Sequence, residues 1–190
     1  PLPSGVADAA GPGARACGRC VAAALSRPAA PRADWRRPLQ ELVGGPLSAA
    51  AAPRPDTAVA GQYLCRCLQR PSPALMRECH HVLEYLARHP SAGLTYTKGD
   101  RRLVGFADAS WETAQSTSGW VVQWQVAALH WGSRKQQCIA LSTCEAEIIA
   151  LSEGAKDMVY FRKLVAGVDA AEPGASSLST DSQSARDVSY

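Results

Sequence analysis

The chain has 190 residues, 46% apolar and 19% charged, enough for one ordinary domain and an appendage. Its longest apolar run falls far short of the roughly 18 residues that a bilayer span requires, and the stretch at residues 20–25 is too short for a secretory core. A soluble, intracellular protein with no membrane partner is expected, in the cytoplasm or the nucleus, and an opening Pro suggests a fragment. The net charge of +3 conceals two unlike halves: residues 1–97 hold eleven Arg and six acids, residues 98–190 nine basic residues and eleven acids. Neither balance is extreme enough to demand a nucleic-acid partner.

Twelve of the 13 Pro precede residue 91, and residues 1–33 mix Pro, Ala, Gly and Arg without a sustained period, as in a disordered segment or linker. Within them Cys17-Gly-Arg-Cys20 has the spacing of a redox pair or half a zinc site. The possible complements, Cys65 with Cys67 or Cys79 with His80 and His81, match no standard ligand spacing, so free thiols are the plainer reading of seven cysteines. Residues 35–52 suggest a short helix stopped at Gly44-Gly45-Pro46. A second helix starts near Pro55 and runs to Gln69, and a third is framed by Ser72 as N-cap and Pro73 at the first helical position. Pro90 ends the pair. In the third, Leu75, Cys79, Val82, Leu83 and Leu86 form an apolar stripe opposite Arg77, Glu84 and Arg88.

After residue 97 the period changes. Residues 103–109, 119–125 and 127–131 read as three strands of an antiparallel meander. Residues 143–165 read as one long helix with Ile148, Leu151, Ala155, Met158 and Val165 on its packed face. Residues 176–180 would be a fourth strand, and a further helix begins at Ser182. This order predicts an α/β fold with a mixed sheet, the crossover from third to fourth strand requiring a parallel addition.

Three acids stand where an open α/β sheet presents functional groups: Asp108 near the end of the first strand, Glu147 early in the long helix, and Asp181 after the fourth strand. Asp108 alternates with Val104 and Phe106, two bulky residues expected to need cover. Carboxylates about 4 Å apart repel by roughly 4 kcal/mol at an effective dielectric near 20, a conflict that a divalent cation resolves. Oxygen ligands with no His or thiolate favour Mg²⁺ or Mn²⁺, and two such ions suit phosphodiester hydrolysis. Ser142 as N-cap puts Glu145 at the capping-box position and leaves Glu147, about 200° around the helix, as the metal ligand. On spacing alone, acids at strand ends are more often solvated groups or turn formers.

The surrounding words are more specific. Gly105-Phe106-Ala107-Asp108-Ala109-Ser110-Trp111, Ser116-Thr117-Ser118-Gly119-Trp120-Val121-Val122, Trp131-Gly132-Ser133-Arg134-Lys135-Gln136, Ala140-Leu141-Ser142-Thr143-Cys144-Glu145-Ala146-Glu147 and Thr180-Asp181-Ser182-Gln183-Ser184-Ala185 follow in order. They closely resemble the RNase H domain of copia-type LTR retrotransposon Pol polyproteins. Upstream, Gln40-Glu41-Leu42-Val43-Gly44, Arg54-Pro55-Asp56-Thr57-Ala58-Val59, Val82-Leu83-Glu84-Tyr85-Leu86 and Gly93-Leu94-Thr95-Tyr96 look like the end of that family's reverse transcriptase and its connection.

The resemblance implies a helical connection over residues 34–97 and an RNase H-like domain over residues 98–190, C-terminally incomplete because a fourth carboxylate would lie beyond Tyr190. It implies cleavage of the RNA strand of an RNA/DNA hybrid during reverse transcription, with the rest of the Pol polyprotein as partner. Asp108, Glu147 and Asp181 become the catalytic and metal-binding set for two Mg²⁺, Mn²⁺ being possible. The family commonly has a second Asp where this chain has Ser110. Arg134, Lys135 and Gln136 are the candidate contacts to phosphate and sugar, a solvated turn being the alternative. Trp111, Trp120, Trp124 and Trp131 could stack on bases, but core and sheet packing is the commoner use of such residues. The competing functional reading is a degenerate remnant that at most binds nucleic acid; a redox or zinc module built on Cys17 and Cys20 ranks below both.

Overall fold

The computed structural model describes residues 33–99, 101–112, 115–169 and 174–188. The expected linker over residues 1–33 and the Cys17/Cys20 pair lie outside the described residues, apart from Ala33, which opens a 3-10 turn. The chain divides into two compact units between Gly93 and Leu94.

In the first unit, α1 (Arg36–Ala51) runs straight through Gly44, Gly45 and Pro46, where a helix stop was expected. An interior Pro costs roughly 3 kcal/mol. Leu39, Val43, Pro46 and Ala50 recur on one buried face, and full burial of one Leu or Val contributes roughly 1.5–3 kcal/mol, so packing outweighs the local breaker. A 3-10 turn (Pro55–Thr57) leads into α2 (Ala58–Cys67), and α3 spans Pro73–Arg88. Ser72 caps α3 as expected, its hydroxyl accepting from the Leu75 amide at 3.2 Å. Leu39, Val43, Leu64, Leu75, Cys79 and Val82 from the three helices form the core, with Leu86 packed against it. Arg77, Glu84 and Arg88 are exposed, as are His80 and His81. Burial pushes the Cys79 thiol up to about 12, so it behaves as an inert apolar side chain.

A buried ion pair ties this unit together. Arg54 donates through Nε to Asp56 Oδ1 at 3.0 Å and through Nη2 to Asp56 Oδ2 at 2.8 Å. Its Nη1 reaches the carbonyl of His89 at 2.9 Å, just past the end of α3. The Tyr85 hydroxyl donates to Asp56 Oδ2 at 2.8 Å, and the guanidinium lies 5.5 Å from the Tyr85 ring centroid. Burial acts to raise the Asp56 carboxyl, but the hydrogen bonds from Arg54 and Tyr85 outweigh it and hold it below the usual carboxylate range.

The second unit is a four-stranded mixed sheet in the order β3-β2-β1-β4, built from β1 (Leu103–Ser110), β2 (Thr117–Trp124), β3 (Ala127–Lys135) and β4 (Ser177–Ser179). The meander is antiparallel, and β4 adds parallel to β1, the mixed α/β arrangement that the element order predicts. The third strand runs four residues beyond the expected end at Trp131, because Thr117 to Trp120 pair with the whole of Gly132 to Lys135. The crossover helix α4 (Thr143–Asp169) lies on the sheet, and α5 (Gln183–Val188) follows β4.

The packed face of α4 differs from the expected one. Ala146, Glu147, Ala150, Gly154, Met158 and Val165 are buried, whereas Ile148 and Ala155 are exposed. Small residues let the helix lie close to the strands: the Gly154 Cα region sits against Trp120, Ala107 and Leu178. The covered side of β1 is correspondingly Leu103, Gly105 and Ala107, while Val104 and Phe106 are half-buried. Gly105 faces Met158 and Leu178, and Gly132 lies under the Trp120 indole, so that a methyl group at either would collide. Of the tryptophans, Trp120 is buried and donates its indole N–H to Asp157, Trp124 and Trp131 are half-buried, and Trp111 is 42% exposed.

Asp56→Asn in the full chain is expected to cost about 3–5 kcal/mol by stranding Arg54, and Tyr85→Phe about 1 kcal/mol. Because the folded-state pKa of Asp56 is lowered, its contribution is present above the unfolded-state value and lost as the pH falls through the folded one. Urea unfolding followed by hydrogen exchange at α2 and α3 amides, from pH 7 down to pH 3, checks both; equal stability of Asp56→Asn and wild type would contradict them.

Candidate metal centre

Each of the three acids is delivered by a separate element. Asp108 stands near the end of β1, opposite Gly119 of β2. The parallel β1–β4 register pairs Phe106 with Ser179, so Asp108 and Asp181 each lie two residues past the same rung. Ser182 then caps α5, its hydroxyl accepting from the Ala185 amide at 3.3 Å, which turns the chain immediately beyond Asp181. Glu147 comes from the first turns of α4. Ser142 starts that helix, its hydroxyl accepting from the Glu145 amide at 3.1 Å, and Glu145 Oε2 accepts from the Leu141 amide at 2.7 Å. Glu145 therefore caps, one residue further back than the standard box, and Glu147 is the acid that joins the other two.

The structure brings Asp108, Glu147 and Asp181 together: one carboxylate oxygen from each lies within 4.8 Å of the others. Glu147 is 8% exposed, whereas the two aspartates are open to solvent. Burial raises the Glu147 carboxyl above its usual range, and the charges of Asp108 and Asp181 push in the same direction. Two groups work against this: the Ala109 backbone N–H, and the Thr180 hydroxyl, which donates to Glu147 Oε2 at 3.4 Å. Like charges about 4.8 Å apart repel by roughly 3 kcal/mol at an effective dielectric near 20. An all-oxygen donor set with excess negative charge and one desolvated member fits a hard divalent cation, and these three acids are a group that could hold one.

The flanking candidates separate. Arg134 is exposed, its guanidinium 5.7 Å from the Trp120 ring centroid and 3.7 Å from Glu153 Oε2. Lys135 is half-buried at the end of β3. Gln136 departs from the expectation of a surface contact: it is 5% exposed, and its side-chain N–H groups are turned inward to Ser118 Oγ and the Ala146 carbonyl, both at 2.9 Å. Two groups at the centre carry no signal of their own in the sequence: Thr180 and the Ala109 amide contact Glu147. Away from the cluster, Asp157 accepts from Trp120 and lies 3.1 Å from His130 Nε2. Thr180 was signalled only by standing next to Asp181.

With its pKa raised, Glu147 stabilises the fold below the unfolded-state value and loses that contribution as the pH rises through the folded-state value. In EDTA, Glu147→Gln is therefore expected to melt above wild type at pH 7, the gain shrinking towards pH 4. Thermal melts across that range check it, and a Glu147→Gln protein that melts below wild type at pH 7 would contradict it.

No family model and no solved structure matches the chain. Curated relatives do. Secreted RxLR effector protein 161 of Plasmopara viticola is 34% identical over 128 residues, which cover 65% of this chain and 90% of that protein. The retrovirus-related Pol polyprotein from transposon TNT 1-94 of Nicotiana tabacum is 30% identical over 132 residues, 67% of this chain and 10% of the polyprotein. That from transposon RE1 of Arabidopsis thaliana is 28% identical over 126 residues, 64% of this chain and 9% of the polyprotein. The chain thus spans about a tenth of the length of the polyproteins it matches. Among the described residues no helix is long and apolar enough to cross a membrane. With its motif blocks in order and its homologues so named, the chain belongs to the copia-type retrotransposon Pol polyprotein family.

Proposed function

We propose that residues 98–190 are an RNase H-like domain that hydrolyses the RNA strand of RNA/DNA hybrids, with residues 34–97 as a reverse-transcriptase connection and the remainder of the Pol polyprotein as partner. The observation that carries this reading is the convergence of Asp108, Glu147 and Asp181 from β1, α4 and the end of β4 into one oxygen-only cluster. Mg²⁺, as an ion pair held by these carboxylates and replaceable by Mn²⁺, would supply an activated water and neutralise charge on the departing oxygen.

The chain's own residues account for the rest. Asp108 near the end of β1 and Asp181 just past the end of β4, each two residues beyond the Phe106–Ser179 rung, present their carboxylates to solvent, where a phosphodiester can approach. Glu147 closes the inner side of the cluster, and the Ala109 amide and Thr180 hydroxyl hold its carboxylate in place. Arg134 and Lys135, at the end of β3, offer positive charge to the hybrid's phosphates rather than to base edges, so binding is salt-dependent and indifferent to sequence.

In an assay of the full chain with end-labelled RNA/DNA hybrid and Mg²⁺, cleavage of the RNA strand is expected. Asp108→Asn and Asp181→Asn should each reduce it at least about a hundredfold, since several kcal/mol of charge stabilisation is removed, and EDTA should abolish it. Arg134→Ala should weaken hybrid binding and leave the cleavage rate at saturation near wild type. Retention of hybrid with no cleavage at any Mg²⁺ or Mn²⁺ concentration would overturn the nuclease reading in favour of a non-catalytic remnant.

A further inference from the structure

We propose that Gln136 is a positioning residue for the metal centre: its buried amide ties β2 to the first turns of α4 and thereby sets the separation of Asp108 and Glu147. The inference rests on the metal-dependent reading above.

Gln136 follows directly after β3, and its backbone N–H donates to the Ser116 carbonyl at 2.8 Å, which fixes where its side chain starts. That side chain enters the space between sheet and helix. A buried primary amide is costly unless its N–H groups are used. Both are: Nε2 donates to Ser118 Oγ and to the Ala146 carbonyl, each at 2.9 Å, while Oε1 is buried with no partner among the described residues. The two inward acceptors therefore determine which way the amide faces.

What these acceptors are attached to matters. Ala146 immediately precedes Glu147 in α4. Ser118 is the ladder partner of Ala109, whose amide serves the Glu147 carboxylate, and Ala109 immediately follows Asp108. One amide thus spans the strand pair that carries Asp108 and the helix that carries Glu147. Mutual repulsion of the acids drives these two elements apart. The hydrogen bonds of Gln136 oppose that displacement, one of them at the residue that precedes Glu147. A carbonyl inside an α-helix has its own helical N–H partner as well, so losing the Gln136 bond shifts α4 without unwinding it.

The test uses the full chain, Mn²⁺ titration by the electron paramagnetic resonance signal of the free ion, and hybrid cleavage as a function of Mg²⁺. Gln136→Met, close in size and unable to donate, is expected to weaken Mn²⁺ binding ten- to a hundredfold, as loss of groups that orient metal ligands generally does. The Mg²⁺ concentration for half-maximal cleavage should rise in proportion, with the KM for hybrid unchanged. Ser118→Ala, which removes one of the two acceptors, should give a smaller shift in the same direction, and carries the test if Gln136→Met does not fold. Asp108→Asn separates the two levels of the argument. If Asp108→Asn loses Mn²⁺ while Gln136→Met and Ser118→Ala bind it as wild type does, the positioning role is overturned and the metal centre stands. If wild type binds no Mn²⁺, or Asp108→Asn binds it equally well, the metal centre fails and the positioning role with it.

Discussion

Three like charges gathered at one corner of a sheet place the largest local demand on this fold. Asp108, Glu147 and Asp181 approach within 4.8 Å with no salt bridge to a cation among the described residues, and Glu147 does so almost out of water. Such a cluster persists only where covalent and hydrogen-bonded geometry leaves its members little room to separate. Here the β1–β4 register holds the two aspartates level, and the seam of Ala146, Ala150 and Gly154 lets α4 bring Glu147 down onto the sheet. The Ala109 amide and the Thr180 hydroxyl serve the Glu147 carboxylate itself, and the Gln136 side-chain amide holds the neighbouring Ala146 carbonyl. A purely structural sheet end would gain stability by losing one of the acids.

The first unit meets a related difficulty differently. Arg54 and Asp56 are also buried charges, but they have opposite signs and face each other bidentately, with Tyr85 completing the set. Removing two ions from water costs several kcal/mol each, so the pair adds little net stability beyond an apolar equivalent. Its contribution is geometric: through the His89 carbonyl it pins the turn before α2 to the end of α3. The words that linked residues 54–59 to a family thus include a structural lock.

Much of the second unit was legible because its signals are local and of the right period. Strand positions, the parallel fourth strand, the Ser142 cap and the separation of Glu145 from Glu147 all follow from alternation, turn residues and helix geometry. The misreadings share a cause in tertiary packing. Helical spacing from Ile148 points Ile148 and Ala155 inward with Met158 and Val165, whereas close helix–sheet contact at the start of α4 selects Ala146, Ala150 and Gly154. Pro46 reads locally as a stop, but Leu47 and Ala50 beyond it have core to reach. Gln136 followed two cations and was read with them as a surface contact; only the third dimension reveals that two acceptors await it inside. The convergence of the acids depends on sheet order and register, which no single stretch of residues encodes.

The small-residue seam on α4 carries an implication for tracing descent among mobile elements. A side chain larger than a methyl group at Gly154 would press on Trp120, Ala107 and Leu178, the contacts that let α4 lie close to the sheet, while every acid in the sequence remained in place. Inherited copies can therefore lose the cluster's geometry with their acidic signature intact, and a survey that counts carboxylates would not separate them from copies that keep it. Integrity of the alanine and glycine positions is the stricter marker of a lineage that still has the acid cluster assembled.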